Sequence, residues 1–139
     1  MSSYENPWTF IGIPYEEIMK DHIGYVYQIT NKYTNRKYIG KKNFFFSRAK
    51  IIKGKKKRIK VESDWKTYYG SNKELQDDVE KFGAENFKRE ILRLCRSKAE
   101  FGYYEAKIQF DLNVLESDEF YNSWIQCRIH KKHLTFLKK

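Results

Sequence analysis

Gly24-Tyr25-Val26-Tyr27-Gln28-Ile29-Thr30-Asn31-Lys32-Tyr33-Thr34-Asn35-Arg36-Lys37-Tyr38-Ile39-Gly40 is the stretch on which the fold turns. From Tyr25 to Thr30 apolar and polar residues alternate with a period of two, rich in β-branched and aromatic side chains, which predicts a strand. Asn31 to Asn35 carries turn chemistry, and Arg36 to Ile39 returns as a second strand, so the segment is a hairpin. Side chains alternate across a strand, so an even loop places Tyr27 and Tyr38 on one face, whereas an odd loop separates them. Gly40 then lies close to Tyr27 on the opposite strand and is expected to leave room for a phosphate to approach the backbone.

Directly after the hairpin the chain turns basic. Lys41, Lys42, Arg48, Lys50, Lys53, Lys55, Lys56, Lys57, Arg58 and Lys60 fall within twenty positions with no acid among them, and the remaining 18 bases balance the 18 acids. One basic face on a neutral body is the footprint of a polyanion binder. A solvated lysine loop is the plain alternative, and an anionic membrane surface lacks both an amphipathic helical pattern and a lipidation signal. Nucleic acid is the partner this pattern favours.

The remaining signals bound the domain. At 139 residues with 17% aromatics the chain builds one moderate core. Cys95 and Cys127 form no pairing framework, and Glu5, Pro7, Glu16 and Glu17 occupy the place of a signal peptide's apolar run, so an intracellular, cytoplasmic protein with no membrane partner is expected. Residues 1–22 read as an ordered extension packed on the body, and 127–139 as a basic tail. Phe44 to Ile52 reads as a helix starting near Asn43, and Lys53 to Arg58 as an exposed loop interrupted by Gly54. Ser71 with Glu74 forms a capping box ahead of Leu75, Val79 and Phe82, with Gly83 as the stop. Phe87 to Cys95 predicts a third strand, and Ser97 with Glu100 caps a helix running to about Leu112. Phe120 to Ile125 is a shorter helix or a loop. The expected architecture is α+β: one small antiparallel sheet of three strands flanked by helices, in the order β-β-α-α-β-α.

At helical spacing from Ser97, the residues Phe101, Tyr104, Ile108 and Leu112 make an apolar stripe, and Glu105 falls within it. A glutamate there sits at the stripe's edge, pairs with a base, or holds a cation, since burying its lone charge is costly. Cys127, His130 and His133 lack the fourth ligand a zinc site needs, and no glycine loop suited to nucleotide phosphates occurs. Trp65, Tyr68 and Tyr69 either stack on bases or pack in the core.

Taken together these residues resemble the GIY-YIG nuclease superfamily over residues 24–122. Tyr25-Val26-Tyr27 stands at the first motif, with Tyr25 in place of its glycine and Gly24 one position earlier. Tyr38-Ile39-Gly40 matches the second motif in full. Arg48 stands where the family places an arginine on its first helix, Glu105 falls in the helix of the metal-binding glutamate, and Asn122 resembles the late asparagine. Ile52 occupies a position where many members carry His or Tyr, a role left vacant or taken by Tyr68 or Tyr69. The stretch Glu62 to Asn72 is similar to stand-alone phage members, including homing-type endonucleases, and a separate C-terminal DNA-reading domain of the kind those enzymes carry is not expected.

The resemblance implies a GIY-YIG endonuclease fold and a metal-dependent hydrolysis of DNA phosphodiesters, carried out by a monomer or weak dimer on double-stranded DNA, in the host cytoplasm if phage-encoded. Glu105 would hold Mg²⁺ (or Mn²⁺) and Tyr27 or Tyr38 would take a proton from water, activated by a cation such as Lys41. Arg48 would stabilise the phosphate oxygens, and Asn122 would position Glu105 or a water at the metal. Lys42, Lys53, Lys55, Lys56, Lys57, Arg58, Lys60 and Trp65 would bind nucleic acid. A catalytically silent DNA-binding module on the same scaffold is the alternative.

Overall fold

The computed structural model describes residues 4–137 and shows an α+β domain built on a five-stranded mixed sheet. Its strands are β1 (Thr9–Phe10), β2 (Ile13–Pro14), β3 (Gly24–Asn31), β4 (Lys37–Asn43) and β7 (Phe87–Cys95), in the order β2-β1-β7-β3-β4. Two further strands, β5 (Phe45–Ile52) and β6 (Lys55–Glu62), form a separate antiparallel ribbon. Two helices, α1 (Lys73–Phe82) and α2 (Lys98–Asp111), complete the body.

The three expected strands are present as β7-β3-β4, with β3 antiparallel to each of its two neighbours. The sheet is larger than expected because the N-terminal segment joins it. β1 pairs parallel with β7, Thr9 against Glu90, and β2 folds back on β1. Burial explains the recruitment. Trp8 is fully buried and its indole Nε1 donates to Trp65 O at 2.7 Å, while Asn6 Nδ2 donates to Ala84 O and Phe87 O. The two-residue strands were too short to announce themselves by alternation.

β3 lies between β4 and β7 and is buried on both faces. On one face Tyr25, Tyr27 and Ile29 meet Trp8, Phe44, Trp65, Phe87 and Leu75 of α1 in an aromatic cluster. On the other, Val26 meets Ile39, Cys95 and Phe101 of α2. The loop between the paired residues Thr30 and Lys37 holds six positions, an even number, so Tyr27 and Tyr38 do share a face. Val26 pairs with Arg93 and Tyr27 with Ile91, which leaves Leu92 as a bulge residue beside Tyr27.

The helix expected over Phe44 to Ile52 is strand β5, and the expected loop is a tight turn followed by β6. Lys53 (φ 51°) and Gly54 (φ 75°) are the two central residues between paired Ile52 and Lys55, the doubly left-handed geometry whose twist suits a hairpin. Arg48 therefore sits on a strand and not on a helix. The α1 cap also shifts by one position: Asn72, not Ser71, accepts from Leu75 N at 2.9 Å. The second cap is as read, with Ser97 Oγ accepting from Glu100 N at 3.1 Å. On α2, Phe101 is buried with Ala106 and Gln109, whereas Leu112 is exposed, so the buried stripe ends one turn earlier than expected. Phe120 to Ile125 is extended, with Phe120 bridging Lys37 in parallel, and a 3-10 segment (Lys131–Leu137) lays Phe136 against Tyr103 and Tyr104. Among the described residues no helix is long and apolar enough to cross a membrane.

Candidate functional site

β4 is one edge of the sheet, and a cleft of about 420 Å³ opens across it. Tyr38 reaches the cleft from the aromatic face, Lys41 from the face covered by α2, Glu105 from α2 itself, and Asn122 from the extended segment beyond it. Ser71, Asn72, Gln109 and Trp124 also line it. A strand edge lets residues from both faces meet, which is how a tyrosine and a carboxylate from opposite sides of the sheet come together.

Two polar side chains build this edge. Asn122 Oδ1 accepts from Ile39 N at 3.0 Å, and its Nδ2 donates to Ile39 O at 2.8 Å. Next to these contacts, Tyr121 N donates to Lys37 O and Lys37 N to Glu119 O. The Asn122 amide thus continues a short backbone pairing and covers part of an otherwise bare strand edge. Because both its groups are committed to Ile39, it positions the Tyr38-Ile39-Gly40 strand, where the sequence pointed to a role at Glu105 or a metal. Gln109 Nε2 donates to the same Ile39 oxygen at 2.9 Å and ties α2 to β4 one turn beyond Glu105. Gln109 escaped the sequence reading, although a polar residue four positions after Glu105 on a buried stripe was its signal.

Glu105 is 16% exposed at its side chain, and Lys41 Nζ approaches its Oε1 at 3.8 Å. Burial raises the Glu105 carboxyl above its usual range, with Lys41 acting in the opposite direction. Lys41 also lies over the Phe101 ring at 5.2 Å.

The two tyrosines differ. Tyr27 is fully buried, its hydroxyl completes no hydrogen bond, and the Tyr68 ring stands edge-on to it at 5.9 Å. A Cβ at Gly40 would stand 2.6 Å from Tyr27 Oη, so the space beside this glycine holds the Tyr27 phenol, where a phosphate was expected. Tyr38 packs on Tyr27 at 6.1 Å between centroids, and its hydroxyl shares a 3.2 Å hydrogen bond with Ser71 Oγ. Burial pushes the Tyr27 phenol well above its ordinary value, and Tyr38 is raised for the same main reason. The expected activation by a neighbouring cation is not what the protein atoms provide.

Several basic and aromatic candidates lie elsewhere. Arg48 is exposed on β5 with its guanidinium over Phe46 at 5.2 Å, and it does not line the cleft. Lys42 is only 11% exposed, bonded to Asp64 at 2.6 Å and held over Tyr68 at 4.1 Å. The hydrogen bond from Lys42, together with its charge, holds the Asp64 carboxyl below the usual range. Trp65 is fully buried in the aromatic cluster and donates to Glu62 Oε2, so it is not a base-stacking platform. Tyr69 carries Arg89 over its ring at 4.2 Å. Lys53, Lys55, Lys56, Lys57, Arg58 and Lys60 all project from the ribbon or its tip.

Among the described residues no three His, Cys, Asp or Glu side chains gather as a metal cage. A single carboxylate with hydroxyls nearby instead suits a hard divalent cation that keeps most of its water shell. Glu105 meets Lys41 through one oxygen only, and the hydroxyls of Tyr38 and Ser71 line the same cleft.

The family described as "Putative endonuclease segE, GIY-YIG domain" matches residues 8–125. "Putative endonuclease segE" of Enterobacteria phage T4 is 31% identical over 98 residues, covering 70% of this chain and 39% of that protein. The chain thus spans about two fifths of the length of that relative. No solved structure matches.

Proposed function

The chain belongs to the GIY-YIG nuclease family, and from that membership we propose that it is a divalent-metal-dependent endonuclease that hydrolyses phosphodiester bonds in double-stranded DNA. The observation that carries this reading is the convergence of Tyr38, Lys41 and Glu105 on one cleft at the β4 edge. Lys41 meets the scissile phosphate by charge, and Glu105 is the carboxylate that holds Mg²⁺ or Mn²⁺. When bound, that cation supplies the positive charge that polarises the phosphate and steadies the leaving oxygen. Tyr38 faces the attacking water and, as the phenolate, takes its proton. The phenol must first give its own proton to solvent, which the charge of the cation bound in the cleft would favour, while Ser71 Oγ orients the ring oxygen. Tyr27 and Gly40 form the floor beneath Tyr38, and Asn122 and Gln109 hold the strand that carries it. The setting that fits is a phage homing-type enzyme working in the host cytoplasm as a monomer or weak dimer.

A second reading, a silent DNA-binding module, is favoured by one observation: among the described residues no arginine lines the cleft. Supercoiled-plasmid nicking separates the two. The enzyme should nick with Mg²⁺ and stop in EDTA, and Glu105→Ala should abolish nicking while DNA binding persists. Nicking by the variant at a comparable rate would remove Glu105 from the mechanism.

A further inference from the structure

The β5–β6 ribbon projects from the body. Phe44 is buried at its root and Ser63 N donates to Phe44 O, but from Ser47 to Lys60 its residues are exposed, Ile52 and Ile59 being partly covered. Register assigns the cations to faces. Arg48, Lys50, Lys55 and Lys57 share one face, Lys56, Arg58 and Lys60 share the other, and Lys53 sits at the tip. A ribbon lying flat on a charged surface needs one basic face. One with bases on both faces suits a partner that presents phosphates on both sides.

Resting on the reading of DNA as substrate, we propose that this ribbon enters the DNA major groove tip first, its two faces against the two phosphate walls. Dimensions agree: a sheet with side chains on both faces is about 10 Å thick, and the major groove is about 12 Å wide and 8.5 Å deep, against about 6 Å of width in the minor groove. At about 3.3 Å per residue, that depth takes about two to three residues of each strand beyond the turn. Ile51, Ile52, Lys55 and Lys56 then lie within the groove, and Lys50, Lys57 and Arg58 lie at its rims. Lys50 stands directly opposite Lys57, a like-charge pair that destabilises an unliganded ribbon and is relieved between phosphates. Ile51, 74% exposed at the tip, offers an apolar contact to a thymine methyl. The major groove of duplex RNA is too narrow for side chains to read, so the fit is particular to DNA.

The test is fluorescence anisotropy of the full chain on a labelled mixed-sequence duplex in EDTA, over a salt series. The double variant Lys50→Ala/Lys57→Ala should lower the log–log salt slope by about 0.9 per lost contact, about 1.8 together. Methyl green, a major-groove ligand, should compete and netropsin, a minor-groove ligand, should not, and duplex RNA of the same sequence should bind more weakly. Circular dichroism of the variant should match the parent, since neither lysine touches the body. An unchanged slope, competition by netropsin instead of methyl green, or equal binding of duplex RNA overturns the proposal. Binding is read without metal, so a failure to nick leaves this result standing, and nicking with an unchanged slope sinks only the ribbon.

Discussion

Tyr27 and Tyr38 lie on the same face in ring contact, but Tyr38 alone lines the cleft. Tyr27 does not line the cleft, so Tyr27→Phe should leave cleavage nearly intact. Tyr38→Phe should lower kcat by about 10²-fold or more with the fold unchanged. The opposite ranking in a nicking time course would assign the proton transfer to Tyr27. Glu105 carries a pH signature. An unfolded glutamate titrates near 4.3, and burial places the folded Glu105 higher. Below about pH 4 the proton is bound in both states; as pH rises through the folded value the buried carboxyl must ionise and stability is lost. Glu105→Gln abolishes that loss, so its Tm should exceed the parent's at pH 7 and converge with it near pH 4. A variant less stable at pH 7 would show that Lys41 outweighs the burial.

At β4, both the capping segment and α2 bond to Ile39, whose N–H is held by Asn122 and whose C=O is held by Asn122 and Gln109. Asn122→Ala removes one donor and one acceptor from a buried edge. Hydrogen exchange should report faster opening at the Ile39 amide, and kcat should drop while Mg²⁺ dependence stays as in the parent. Retained protection at Ile39 would show that the backbone pairing of Lys37 suffices. The ribbon teaches a different lesson about elements. Phe44 to Ile52 satisfies helical spacing, yet Lys53-Gly54 is a two-residue turn followed by a run in which Ile59 and Val61 alternate with polar residues. Pairing with Lys55 to Glu62 overrode local periodicity.

Across the domain, Arg89 locks the N-terminal segment to the sheet. It is buried on β7 and donates to Asn6 O, Glu5 O and Tyr68 O while its guanidinium lies over Trp8 and Tyr69. Burial lowers its pKa from the usual arginine value, with the neighbouring tyrosines acting in the opposite direction. Arg89→Ala strands three carbonyls and should cost about 3 kcal/mol or more in urea unfolding, with loss of the near-ultraviolet signal of Trp8. A cost near zero would show that the N-terminal strands dock without it. The segment carries Trp8 and Tyr15 into the aromatic core, so it packs on the body as an ordered element.

The Tyr25–Gly40 hairpin, the third strand, the Ser97 cap and the placement of Glu105 were legible in the chain, because each rests on local periodicity or on a short-range hydrogen bond. So was the concentration of charge after Gly40, since composition needs no coordinates. Long-range contact decided the rest. Two-residue strands β1 and β2 exist only because Arg89, Trp8 and β7 hold them, Trp65 is buried because the N-terminal segment covers it, and Lys42 is spent on Asp64. Which of two same-face tyrosines opens to water, and whether a basic run is a loop or a ribbon, depend on what packs against them, and no local pattern carries that information.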